Sequence, residues 1–128
     1  MNTRLNFVAA AAVLSFSGGA LADLTIGVSL PLTGPASGLG IPMGNQVKLW
    51  PTTIGGEKVK VIVLDDATDP TAGVKNARRF VTEDKVDVIV GSAATPVGIA
   101  MADVALESKT VQLAATPMGL PPGKDAWS

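Results

Sequence analysis

The sequence predicts an α/β fold, a mostly parallel sheet with helices on both faces. Three observations carry that prediction. Short apolar runs rich in β-branched residues occur four times after residue 23, segments with apolar residues at helical spacing lie between them, and two of those segments open on Asp69-Pro70 and Thr95-Pro96. Each dipeptide sets a capping side chain before a proline whose missing N–H costs a first turn nothing. Strands alternating with helices short enough to be crossovers call for parallel pairing.

The first run, LTIGVSL over 24–30, stops at Pro31 and fits a buried strand closed by a loop. A glycine- and proline-rich loop over 31–40 leads into a modest helix that must end before Pro51, and Gly55-Gly56 marks a turn. KVKVIVLDD over 58–66 alternates at first and then becomes continuously apolar, as a strand covered on both faces does. Asp69 caps a helix running to about Asp84, with Val74, Ala77 and Val81 on its inner face and Lys75, Arg78, Arg79 and Glu83 on its flanks and outer side. VDVIVG over 86–91 is the third strand. Thr95 caps the next helix, which carries Val97, Ala100, Met101 and Val104 as its buried stripe and ends near Ser108; TVQLAA over 110–115 is the fourth strand. MGLPPGKDAWS closes the chain without a covering helix, so the domain over 23–128 is expected to be truncated.

The N-terminus has a different character. Arg4 precedes an apolar and small-residue stretch over 5–16, and Ala20-Leu21-Ala22 supplies the small-x-small site of a cleavable leader. The apolar stretch falls short of the ~20 residues that cross a bilayer. Residues 1–22 are therefore expected to be a signal peptide. With neither a twin arginine nor a cysteine for lipid attachment, a periplasmic product is expected.

The chain has no cysteine and no histidine, which excludes Ser-His-Asp and Cys-His nucleophile systems and removes the commonest zinc ligand. A net charge of −1 without basic runs argues against nucleic acid as a partner. The expectations are a monomer without metal or cofactor, and not an enzyme.

In an open parallel sheet with strand order 2-1-3-4, a ligand sits outside the carboxyl ends of the strands, between the first and third. The loops converging there supply Pro35 and Ser37 after the first strand, Ala94 and Thr95 after the third, and Ala115, Thr116 and Met118 after the fourth. Thr95 combines a hydroxyl with a helix N-terminus that carries about half a positive charge, so a carboxylate can bind without a lysine. The same hydroxyl could equally serve only to cap its helix. Gly38, Gly40 and Gly44 are spaced one residue too long for a dinucleotide fingerprint, leaving a ligand wall or a plain turn. Asp65, Asp66 and Asp69 could suggest a metal site or an acid–base pair, but a helix cap at Asp69 and solvated acids at a strand end account for them.

IGVSLPLTGPASGLG, VIVLDDATDPTAGVKNARRFV and VDVIVGSAATPVGIAMADVALESKTVQLAA, in that order, resemble the type I periplasmic binding proteins of the leucine/isoleucine/valine-binding family. The resemblance implies the first of two α/β lobes of a clamshell that delivers a small-molecule ligand, an amino acid or related small carboxylate, to an inner-membrane ABC permease. It implies that Thr95 and the N–H groups beside it hold the carboxylate, and that residues 116–118 receive the amino group. Met118 falls where amino-acid binders commonly place a hydroxyl, and a shift of two brings Thr116 into that role. The departure makes an aromatic or aliphatic carboxylate a competing ligand, and a sensory receptor domain is the alternative use of such a lobe. The short first helix, broken at Pro51, is a second departure from the family pattern.

Export is directly testable. N-terminal sequencing of the periplasmic fraction should read from Asp23, and a chain retaining residues 1–22 in the membrane fraction would refute the leader.

Overall fold

The computed structural model describes residues 23–119; the leader expected over 1–22 and the terminal residues 120–128 lie outside the described residues. The elements in chain order are β1 (Leu24–Leu30), α1 (Ser37–Val47), β2 (Thr53–Ile54), β3 (Glu57–Asp65), α2 (Pro70–Thr82), β4 (Val88–Gly91), α3 (Thr95–Ser108) and β5 (Val111–Leu113). They form one sheet of order β2-β3-β1-β4-β5. All its neighbours are parallel except β2 and β3. The four predicted strands therefore stand in the predicted order.

The fifth strand is a two-residue addition that periodicity could not reveal. Gly55 and Gly56 take φ of +60° and +87°, the left-handed values that a two-residue hairpin turn between β2 and β3 requires. Because β2 is so short, β3 behaves nearly as an edge strand. It does not acquire the two-sided cover its apolar run predicts, and Val63 remains 39% exposed.

β1 lies at the centre, and its two faces meet different helices. Ile26, Val28 and Leu30 point to one side, where Met43 and Val47 of α1 and the following Trp50 pack against them. On the other side Ala77 and Phe80 of α2 join Ile89 of β4 and Val97, Met101 and Val104 of α3 in a second cluster. Helices thus cover both faces, as period-2 alternation along a central strand demands. On the α1 side the cover thins towards β5, where Val111 and Leu113 are 44% and 49% exposed. Among the described residues, no helix is long and apolar enough to cross a membrane.

The inner face of α2 differs in detail from the spacing argument. Val74 and Val81 are only half-buried, while Gly73, Ala77 and Phe80 are fully covered. In α3, Ala100 is half-buried, and Gly98, Ala102 and Ala105 join Val97, Met101 and Val104 in the interior. Both shifts follow from close helix contact. A Cβ on Gly73 would strike Val97, so α2 and α3 approach each other through the glycine, which brings small residues to the contact and Phe80 onto the sheet. Phe80 lies over Gly27 of β1, where an added Cβ would come within 2.7 Å of the ring.

That contact gives a stability test. Gly27→Ala should lower the unfolding free energy by about 1–3 kcal/mol, the usual cost of overpacking a core. In combination with Phe80→Leu the loss should be less than the sum of the two single losses, because the smaller side chain makes room for the methyl. Urea titrations of the four chains measure both quantities.

Candidate functional site

Because β1, β3, β4 and β5 are parallel, their carboxyl ends open on one edge, with Leu30 paired to Asp65, Ser29 to Gly91 and Val90 to Leu113. The chain leaves β1 towards β3 on one side and later returns to β4 on the other. The crevice between β1 and β4 is therefore the place where outgoing connections part, as in other open parallel sheets that bind ligands.

The loop after β4 is shaped by close packing. Gly91 has φ of +115°, and a Cβ there would collide with the carbonyl of Ser29. Ser92, fully buried, accepts a hydrogen bond at its Oγ from Ala94 N–H at 3.2 Å. Ala94 then occupies the N-cap of α3 in an extended conformation, and no side chain caps the helix. Thr95 is thus the first helical residue and not the cap that the Thr-Pro pair suggests. The difference of one residue has a physical consequence. The N–H groups of Val97 and Gly98 turn to the carbonyl of Ala94, at 3.0 and 2.9 Å, and the Thr95 hydroxyl bonds instead to the hydroxyl of Thr116 in the loop after β5, at 2.8 Å, on the β4–β5 side of the crevice. At α2, by contrast, the predicted cap is present, with Asp69 accepting from Thr71 N–H at 2.9 Å.

Two residues from the loop after β5 reach α3. A Cβ on Gly98 would lie 3.5 Å from both Met118 Sδ and Thr116 Cγ2, which places the two side chains over the first turns of the helix. Of the two residues that compete for the polar role, Thr116 makes the hydrogen bond to Thr95, and Met118 lays a thioether on the glycine. Ala94 is buried and Ala115 half-buried, so their side chains contribute little accessible surface. Gln112 was not singled out by the sequence argument. Its Nε2 donates to the carbonyls of Gly91 and Gly98 at 3.0 and 3.1 Å, tying the end of β4 to α3. The signal was present, since Gln112 is the one amide in an otherwise apolar strand.

The predicted residues Pro35 and Ser37 sit apart from that pair. Pro35 is exposed, and Ser37 opens α1 instead of belonging to the loop, its N–H donating to Gly34 O at 3.1 Å. Their segment is anchored to the turn after β3. Asp65 accepts from the N–H groups of Leu32 and Thr33 at 2.9 and 3.2 Å, from the Thr33 hydroxyl at 2.6 Å, and from Ala67 N–H at 2.8 Å. Partial burial pushes the Asp65 carboxyl up, but these hydrogen bonds, led by the Thr33 hydroxyl, outweigh it and hold the pKa below its ordinary 3.8. Asp66 corrects the expectation of solvated strand-end acids. It is fully buried, accepting from Ser29 Oγ at 3.0 Å and from Thr68 N–H at 3.1 Å. Both carboxylates are committed to holding loops, so neither is placed for acid–base chemistry.

The segments 31–36, 92–96 and 114–118 contain no charged residue. What they offer a ligand is hydroxyls, backbone groups and the positive end of α3. An open groove beside α2, lined by Asp65, Thr71, Lys75, Asn76, Arg78 and Arg79, contains none of the predicted ligand residues.

Comparison with known proteins bears on the family and the fold. The family model described as periplasmic binding protein matches residues 23–126. A Leu/Ile/Val-binding protein homolog of Brucella melitensis is 37% identical over 130 residues, covering 93% of this chain and 34% of that protein. An extracellular ligand-binding receptor from Rhodopseudomonas palustris HaA2 superposes with a TM-score of 0.77 at 46% identity, covering 79% of this chain and 28% of the receptor. The solute-binding protein of an ABC transporter from Rhodopseudomonas palustris BisB5, solved with 3,4-dihydroxybenzoic acid, gives a TM-score of 0.70 at 31% identity, covering 76% and 28%. The chain spans about a third of the length of the curated relatives it matches.

The depressed Asp65 pKa sets a pH dependence. A carboxyl whose folded pKa lies below its unfolded value adds stability that is full above the unfolded pKa and disappears as pH falls through the folded one. Urea titrations of the parent chain should lose stability below about pH 4, and Asp65→Asn should flatten that loss. An acid limb unchanged by the substitution would show that Asp65 does not contribute to it.

Proposed function

This chain belongs to the periplasmic binding protein family, and on that footing we propose that it forms the first ligand-binding lobe of a periplasmic solute receptor. The receptor takes the carboxylate of an amino acid or related small carboxylate and delivers it unaltered to an inner-membrane ABC permease. The leader over 1–22 directs it to the periplasm. The observation that carries the reading is the pair of hydroxyls of Thr95 and Thr116, 2.8 Å apart at the N-terminus of α3. Both side chains can turn to donate to an anion, and the helix end adds a favourable field without any cation. Thr95 is available because Ala94 holds the cap position.

A second reading concerns the ligand's other end. Met118 places a polarizable thioether over Gly98, a surface suited to an aromatic ring. A 31% identical solute-binding protein was solved with 3,4-dihydroxybenzoic acid. An aromatic carboxylate is therefore the competing ligand. A closed clamshell, with a second lobe over the crevice, supplies the remaining contacts in either case.

The test uses a version with the second lobe restored, titrated calorimetrically against amino acids and hydroxybenzoates. Thr95→Ala should weaken carboxylate binding about ten- to hundredfold, corresponding to a loss of roughly 1.5–3 kcal/mol for a hydrogen bond to a charged group. Because Thr95 is not the helix cap, the melting temperature should hardly move. Thr95→Ser should retain affinity, and an amide analogue of the ligand should show a much smaller penalty. Equal losses for acid and amide, or no loss for either, would refute the carboxylate site.

A further inference from the structure

The turn after β3 contains a conformation that needs an explanation. Ala67 and Thr68 take φ of +51° and +63°, the left-handed region that L-residues avoid and that is least tolerable for a β-branched side chain. Glycine or asparagine would occupy such a turn more readily. The backbone there is fixed from below, since buried Asp66 accepts from Thr68 N–H at 3.1 Å and from Ser29 Oγ at 3.0 Å, and Asn76 Nδ2 donates to the same Ser29 Oγ at 3.1 Å. From that backbone the Thr68 hydroxyl points outward to the segment after β1. It accepts from Ala36 N–H at 3.1 Å and lies 3.4 Å from the carbonyl of Thr33, to which it donates. Gly34 fits against the carbonyl of Ala67 so closely that a Cβ would collide with it.

We infer that Thr68 is a positioning residue for the β1–α1 wall of the crevice, held in a left-handed turn so that its hydroxyl fixes the segment carrying Pro35 and Ser37. The inference rests on the reading of this crevice as a ligand site, but the contact it assigns is independent of any ligand. Asp65 anchors the near end of the segment at Leu32 and Thr33, and Thr68 anchors the far end at Ala36, where the segment enters α1. Ala36 also packs on the cluster that contains Ala94 and Val97. The far anchor therefore determines how the wall after β1 meets the wall after β4. No glycine at position 68 could supply that contact, whatever it relieved in the backbone.

Amide hydrogen exchange on the full chain tests the assignment, comparing Thr68→Gly and Thr68→Ser with the parent. Ala36 N–H reports the contact, and Gly98 N–H, bonded to Ala94 O, reports the opening of the α3 side. Thr68→Gly should speed exchange at Ala36 at least tenfold while leaving Gly98 within threefold of the parent. Thr68→Ser, which restores a hydroxyl at the same place, should return Ala36 to within threefold. Unchanged exchange at Ala36 in the glycine chain would overturn the proposal, as would equal acceleration at Ala36 and Gly98, which means a general loss of stability. The serine chain failing to restore protection would overturn it as well. Failure of the carboxylate reading appears elsewhere, in the affinity of Thr95→Ala, whose hydroxyl bonds to Thr116 and not to the Ala36 N–H that Thr68 holds, so the two ideas fail separately.

Discussion

The close approach of β4 to β1 at their carboxyl ends is the constraint on which the crevice depends. Gly91 lies against the Ser29 carbonyl in a left-handed backbone conformation, and no side chain could be accommodated there. From that point the chain turns through buried Ser92 into α3. Gln112 then fastens the Gly91 carbonyl to the Gly98 carbonyl, so that strand end and helix start are held as one piece. The Thr95 hydroxyl is a passenger on this arrangement. Its direction towards Thr116 follows from where the backbone has been fixed.

The same edge of the sheet separates charges from the crevice. Asp65 and Asp66 stand at the end of β3, yet their oxygens are occupied by N–H groups and hydroxyls of neighbouring loops. Such carboxylates stiffen the turn and stay unavailable as acids or bases. The segments that face the crevice carry only neutral donors and acceptors. On the proposed reading, a neutral site with a helix end would suit a ligand that must be released again, since binding through hydroxyls and dipoles avoids burying a fixed cation that would have to be resolvated on opening.

Packing of the helices positions the scaffold from which these loops leave. Gly73 lets α2 and α3 approach through the contact with Val97, and Gly27 lets Phe80 settle on the central strand. Gly27 thus sets the height of α2 above the sheet, and Gly73 sets the spacing between α2 and the first turns of α3. On the opposite face α1 covers β1 but leaves Val111 and Leu113 of β5 partly open.

The sequence by itself determined the four strands and their parallel pairing, because β-branched runs separated by helical segments short enough to be crossovers admit few alternatives. It also determined which loops meet at the strand ends, since parallel pairing leaves no choice in that. The tertiary structure decided what local pattern cannot encode. Whether Asp66 is solvated or buried depends on Ser29, thirty-seven positions away, and the cap of α3 shifted to Ala94 because Gly91 and Ser92 fixed the backbone before Thr95 was reached. The path of the chain after β5 decided where Thr116 and Met118 lie, bringing one hydroxyl to Thr95 and one thioether to Gly98. Short-range rules specify elements because their energies are local. The partners of a hydroxyl or a carboxylate are set by which distant backbones the packing brings within about 3 Å, and only the folded chain contains that information.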